Sequence, residues 1–254
     1  MKPYSIMTPP FEVTSGGIRV MYGLYGRLLA SGQIVYLNAT YENDDFIAVY
    51  PEIYEGNPAG AKTVVRYILQ TPGVMALYGK LGPKKFPETD HKFVFSEIYN
   101  TIGAQRNHIM FLPILNMFQF KDYGKRRTKT CYLVGKGKNQ KKHPKNSIEL
   151  NREMAQDQQK LADTLNECHT FYIYDRLSAM MEIARLCGCR VKYYGDFGKD
   201  DLAKYEPGMN GITYKDEKDV TLEVKGFRRH YASLGRQFSN KLSEFIEITQ
   251  NENS

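Results

Sequence analysis

The feature that most constrains this chain is an alternation of short apolar runs with stretches of helical periodicity, repeated in two series along 254 residues. Short apolar runs bounded by turn signals suit strands buried on both faces. Helical stretches between them supply crossovers, so the pattern points to βα units and mostly parallel sheets. In the first series the expected elements are a helix over Ile18–Ser31, strands over Gln33–Asn38 and Phe46–Tyr50, and a helix over Ala59–Leu69 with Val64, Val65, Ile68 and Leu69 on its apolar side. Strands over His91–Ser96 and His108–Leu112 follow. In the second series the pattern predicts a strand over Thr130–Val134, a helix over Glu149–Cys168, a strand over Thr170–Tyr174, a helix over Ser178–Cys187 closed by Gly188, and a strand over Arg190–Tyr194. Asp216–Val224 is ambiguous, and His230–Thr249 is a last helix with Leu234, Phe238, Leu242, Phe245 and Ile246 along one face. The expected architecture is α/β. Two Rossmann-like domains span residues 1–118 and 119–229, and a terminal helix within 230–254 returns to the first.

Charge is concentrated rather than general. Between Lys121 and Lys145 stand ten basic residues and one acid, Asp122, a local charge of +9. The whole chain carries +7, so the remaining residues sum to −2. A local patch of this kind reads as a site for a polyanion or phosphate, or as a solvated loop. Cys131, Cys168, Cys187 and Cys189 include no Cys-x-x-Cys pair, which argues against zinc; they are read as reduced thiols of a cytoplasmic protein. Residues 1–11 carry three prolines and lack the apolar run of a signal peptide, and no stretch approaches the apolar length of a membrane span. The five histidines are dispersed without metal-ligand spacing.

Several short segments could carry chemistry. Gly135-Lys136-Gly137-Lys138 follows a strand, where glycines let backbone approach a phosphate and lysine adds charge; it is not a Walker A motif, and it reads equally as a plain turn. Asp175-Arg-Leu-Ser178 lies between a strand and a helix, with Ser178 as a candidate N-cap and the N–H groups from Ala179 onward aimed at the sheet edge. Glu182, one turn in, is either a ribose-binding carboxylate or a capping group. Ser15-Gly16-Gly17 opens the first helix, as a ligand-accommodating turn or a structural one. Glu52, just past a strand, is a candidate base or acceptor-binding carboxylate, or equally a solvated loop glutamate; Arg66, expected on a helix, reads as a partner for a carboxylate or phosphate or as a plain surface pair.

Taken in order, these segments resemble those of two-Rossmann-domain (GT-B) glycosyltransferases. Tyr172–Val191 resembles the donor-binding segment, in which a glutamate begins an E-A-x-x-C-G-x-P-V stretch. Glu182, Cys187, Gly188 and Val191 match, Ile183 stands before Ala184, Arg190 replaces the proline, and Tyr174 with Asp175 beside it stands where a first glutamate is usual. Ser15-Gly-Gly17 resembles the group's N-terminal glycine pair, Ala48–Pro58 with Ala61–Arg66 a segment of its bacterial and phage members, and Thr130–Lys136 the strand and loop opening the donor domain. The resemblance implies two domains facing each other across a cleft, closing over a hinge at Pro113–Lys121, and a nucleotide-sugar donor, a UDP-sugar, with no metal and no other cofactor. It implies that Lys136 and the Ser178–Ala179 N–H groups hold the diphosphate near Gly135 and Asp175, and that Glu182 binds ribose. Gly16, Gly17 and Glu52 would serve the acceptor, a glycan, or DNA tracked by the Lys121–Lys145 patch. The competing reading is a non-enzymatic nucleotide- or nucleic-acid-binding module.

Overall fold

The computed structural model describes residues 1–218 and 221–251, with backbone alone for 221–223. Two compact units emerge: residues 1–114 with 234–254, and residues 115–233. Each is an α/β unit built on a five-stranded, all-parallel sheet.

In the first unit the chain runs β1 (Tyr4–Ile6), α1 (Gly16–Ala30), β2 (Val35–Leu37), β3 (Ile47–Pro51), β4 (Thr63–Ile68), a small antiparallel hairpin β5 (Ala76–Leu77) and β6 (Lys80–Leu81), then β7 (His91–Val94). The sheet order is β2-β1-β3-β4-β7. Helix α1 forms because Val20, Met21, Leu24 and Leu28 recur on one face, and all four are buried. The helix expected over Ala59–Leu69 is instead strand β4. Thr63-Val-Val-Arg-Tyr-Ile68 is rich in β-branched and aromatic residues, and all six are buried between neighbouring strands. A continuous apolar run satisfies helical and strand periodicity equally; here burial on two faces decides. Loops rather than helices connect β2 to β3 and β3 to β4, and they cover one face through a cluster of Phe46, Ala48, Tyr50, Ala61 and Val64 with Tyr41 and Tyr54 packed on it. The strand expected at His108–Leu112 is a 3₁₀ turn at Arg106–His108, followed by a single parallel bridge from Val94 to Ile109.

The second unit contains β8 (Lys129–Leu133), β9 (Ile148–Glu149), α2 (Arg152–Gln156), α3 (Gln158–Glu167), β10 (Cys168–Ile173), α4 (Met180–Leu186), β11 (Arg190–Tyr193), α5 (Lys199–Leu202) and β12 (Ile212–Tyr214). Its order is β12-β11-β10-β8-β9. Numbering each unit's sheet strands from one, both sheets share the doubly wound order 2-1-3-4-5. The direction of winding reverses between β1 and β3 in one, and between β8 and β10 in the other. The single helix expected over Glu149–Cys168 is two helices with β10 starting at Cys168. The break falls at Asp157, whose carboxylate accepts the Lys160 N–H at 2.9 Å and caps α3, as Asn151 caps α2 through Met154 N–H at 2.9 Å.

Helix α6 (Thr221–Gln250) begins in the second unit and ends in the first. Asp216–Val224, ambiguous in the sequence, includes residues 219 and 220, which lie outside the described residues, as do residues 252–254 of the terminal segment. The last turns of α6 dock on the first sheet. Thr249 and Tyr4 share a hydroxyl hydrogen bond of 2.7 Å, and Phe245 packs against Phe93 with ring centroids 4.7 Å apart. Among the described residues no helix is long and apolar enough to cross a membrane.

Candidate functional site

In a doubly wound sheet the connections leave in opposite directions on either side of the winding reversal, opening a crevice at the carboxyl ends of those two strands. Glu52 in the first unit and Gly135, Lys136 and Asp175 in the second stand at the carboxyl ends of these strands.

In the second unit the loop after β8 meets the turn after β10. Asp175 Oδ1 accepts the Arg176 N–H at 2.7 Å, and its carboxyl also takes the Lys136 N–H. Burial pushes this carboxyl above its ordinary value, opposed by those two N–H groups and by the Lys136 charge. The glycines are required by close packing. Gly135 has φ of 55°, and a Cβ there would fall on the Asp175 carboxylate; at Gly137 it would collide with the Tyr174 carbonyl. Gly195, after β11, is pinned in the same way against the Asp175 carbonyl and the Tyr193 hydroxyl. The space the two loop glycines leave is therefore filled by the chain itself, the Asp175 side chain at Gly135 and the Tyr174 backbone at Gly137. What the loop offers a ligand is the exposed Lys136 side chain, held on a backbone that Asp175 locks in place.

Ser178 and Ala179 are half-buried just beyond this turn. Ser178 Oγ accepts the Met180 N–H at 3.2 Å, and the helix starts one residue later than the sequence suggests, with Ala179 at its N-cap. Gly188 closes α4 with φ of 87°, as expected of a C′ glycine. Glu182 is placed differently from a ligand-binding carboxylate: it is buried, and it accepts the Tyr205 hydroxyl at 2.5 Å. Next to it Arg185 is buried under the Phe227 ring, 3.8 Å from its centroid, and donates to the carbonyls of Gly208 and Asn210, both at 2.8 Å. Burial lowers the Arg185 pKa to about 10. Glu182 and Arg185 thus serve the packing of α4 against the segment before β12.

In the first unit Glu52 follows β3 and is 4% exposed. Its Oε2 accepts the Leu69 N–H at 2.9 Å at the end of β4. Burial is the largest influence on its carboxyl, raising the pKa from 4.5 to about 7 against backbone N–H donors that include Leu69 and Gln70. The first turn of α1 lies beside Leu69: a Cβ on Gly17 would stand 3.6 Å from Leu69 Cδ1, and one on Gly16 would meet nothing within 4 Å. Neither packing nor a left-handed backbone requires glycine at these two positions, and the Ser15 side chain makes no capping hydrogen bond.

Arg66 is not on a helix surface. It points inward from β4, 1% exposed, with Nε donating to Asp90 at 2.7 Å, Nη1 to the Tyr54 carbonyl at 3.2 Å and Nη2 to the Gly56 carbonyl at 2.5 Å. It braces the loop that follows Glu52. Asp90, Tyr205 and Gly195 carried no signal in the sequence, because each is defined by a partner 20 or more residues away.

The basic patch divides in two. Lys125 pairs with Asp163 at 3.0 Å, Lys129 with Glu167 at 2.6 Å, and Arg127 with Asp122 at 2.7 Å, so three of the five cations up to the start of β8 are ion-paired, two of them to α3. The remainder, Lys136–Lys145, forms the exposed loop between β8 and β9. Among the described residues there is no group of three or more His, Cys, Asp or Glu placed to hold a metal ion.

Fold and site together define a two-unit α/β protein with a doubly wound sheet in each unit. No protein-family model matches the chain, and no curated protein does. Among solved structures it is similar to AviGT4, a glycosyltransferase involved in avilamycin A biosynthesis, at 12% identity over 98% of this chain and 97% of that one, TM-score 0.45. It is similar to T4 phage BGT in complex with UDP-glucose, at 13% identity over 99% and 100%, TM-score 0.47. The spinosyn forosaminyltransferase SpnP gives 10% identity over 99% and 100%, TM-score 0.43. At these values the likeness assigns no residue roles, and those come from this chain's own geometry.

Proposed function

We propose that the protein is a glycosyltransferase using a nucleotide-sugar donor, a UDP-sugar, with the donor's diphosphate held at the winding reversal of the second sheet. The observation that carries the reading is the lysine-bearing loop Gly135–Lys138 locked onto Tyr174–Asp175 at the carboxyl ends of β8 and β10. This is where doubly wound sheets take ligands. A cation there on a rigid backbone suits a diphosphate, and it stabilises the charge that grows on the nucleoside diphosphate as its bond to the sugar breaks. Lys136 supplies that charge, so the transfer needs no metal ion. Ribose binding is not assigned to Glu182, which is occupied by Tyr205. In the first unit Glu52, with a pKa near 7, is the group best suited to take the proton of an acceptor hydroxyl. Gly16 and Gly17 leave bare backbone at the start of α1, next to Leu69.

The test is a thermal-shift screen against UDP-, GDP-, ADP- and CMP-sugars, since a ligand that binds only the folded state raises Tm. A UDP-sugar should raise it, and Lys136→Ala, shown to be folded by far-UV circular dichroism, should abolish the shift. No response to any sugar nucleotide, or a response intact in Lys136→Ala, would overturn the reading. Transfer that survives EDTA supports the metal-independent form; loss restored by Mn2+ refutes it.

A further inference from the structure

A parallel sheet is ordinarily covered by helices on both faces. In the second unit α3 and α4 serve one face, where Cys131, Phe171, Ile173, Val191 and Tyr193 are fully buried. On the opposite face the strands present Thr130 and Tyr132 from β8, Thr170 and Tyr172 from β10, and Arg190 and Lys192 from β11, in direct register. Tyr132, Tyr172, Arg190 and Lys192 are only half-buried. The connection crossing this face, residues 134–147, contains no helix. It is anchored by His143, whose ring stacks on Tyr132 at 3.7 Å and 9° and whose Nδ1 lies 2.8 Å from the Tyr174 hydroxyl. Gln140 and Ser147 hold it further, to the Tyr194 carbonyl at 2.7 Å and the Thr130 hydroxyl at 2.6 Å. Tyr172 and Tyr194 are themselves near-parallel, with ring centroids 6.4 Å apart.

The charges on and beside this face are Lys138, Lys141, Lys142, Lys145, Arg190 and Lys192, against Glu149, which accepts the Tyr132 hydroxyl, and Asp216, which faces Lys142 at 3.7 Å. Cations therefore dominate a surface floored by aromatic rings. Rings with an accessible face suit unpaired bases, and lysines spaced along a loop suit a phosphodiester backbone. An acidic polypeptide would use the charge but leave the rings without a role.

We propose that this helix-free aromatic and basic face of the second sheet is a docking track for single-stranded nucleic acid. Bases stack on Tyr172 and on the His143–Tyr132 pair, while Lys141, Lys145 and Lys192 meet phosphates. The proposal does not depend on the sugar-nucleotide reading.

The experiment is fluorescence anisotropy of the full chain with a fluorescein-labelled, mixed-sequence DNA oligonucleotide, single-stranded and as its duplex, across a salt series. The single strand should bind more tightly, with log Kd rising against log salt at a slope of about 2 to 3, as three or four neutralised phosphates imply. Lys141→Glu with Lys145→Glu, in the exposed loop, should weaken binding by about tenfold or more, and Tyr172→Leu by about tenfold through lost stacking. Far-UV circular dichroism would establish that both variants are folded. Four results would each overturn the proposal: no binding at low salt, charge-reversed protein binding as well as the original, duplex binding as tightly as the single strand, or polyglutamate competing equally. The charge-reversed variant should keep any Tm rise caused by a sugar nucleotide. Failure of every sugar nucleotide to bind would refute the functional reading without altering the anisotropy result.

Discussion

Glu52 ties the first unit's stability to pH in a way that can be worked out in advance. In the unfolded chain its carboxyl ionises near 4.5, and in the folded protein near 7, because burial penalises the charged form more than the backbone N–H groups at the end of β4 repay it. Between these values the folded state binds more protons, so stability falls as pH rises: the contribution is present in full below 4.5 and gone above about 7. The interval from 4.5 to about 7 corresponds to about 3 kcal/mol, at roughly 1.4 kcal/mol per unit. Glu52→Gln removes this titration while leaving an oxygen for the Leu69 N–H. The assay is urea unfolding across that pH range, followed by far-UV circular dichroism, since the chain has no tryptophan. The difference in stability between wild type and Glu52→Gln should shift toward the variant by about 3 kcal/mol from the acid to the alkaline end, a change of about 1–3 M in relative urea midpoint. Other titrations are common to both proteins and cancel in the difference. Parallel curves would refute the reasoning and mean that Glu52 titrates alike in the folded and unfolded chain.

Three further outcomes follow from buried contacts. Asp90→Asn leaves the Arg66 guanidinium without its carboxylate beneath the Tyr50 and Phe86 rings, and should lower unfolding free energy by about 3–5 kcal/mol in a urea titration. Gly137→Ala drives a methyl into the Tyr174 carbonyl, so it should lower Tm by several degrees, at about 2–4 °C per kcal/mol, and abolish sugar-nucleotide binding together with it; an unchanged Tm would show that the loop is not locked. All four thiols are buried, with the Cys187 thiol pushed up to about 12 by burial and the Cys189 thiol raised well above its ordinary value by the same cause. They should resist Ellman's reagent in the native protein and all react after urea, whereas rapid labelling of the native chain would contradict the packing.

The amino-acid sequence by itself determined the class of fold and the places to look. Apolar runs at strand length, the glycine–lysine loop after Thr130–Val134, the C′ glycine at 188 and the amphipathic last helix are local signals, readable because each depends on neighbours a few residues away. The identity of β4 was not local: Thr63–Ile68 fits either periodicity, and the strands on both sides of it settle the matter. Strand order was not local either, so the two winding reversals, with Glu52 just past β3 at one and Lys136 beside Asp175 at the other, became visible only with the sheets assembled. Tertiary contact also reassigned side chains whose type suggested chemistry. Arg66 became a buried brace, Glu182 a partner of Tyr205, and Lys125 and Lys129 of the basic patch ion-pair partners of α3. The physical reason is the same in each case. A charged side chain reveals whether it is free to act only through the carboxylates, carbonyls and rings that the fold brings to it, and those lie tens of residues away along the chain.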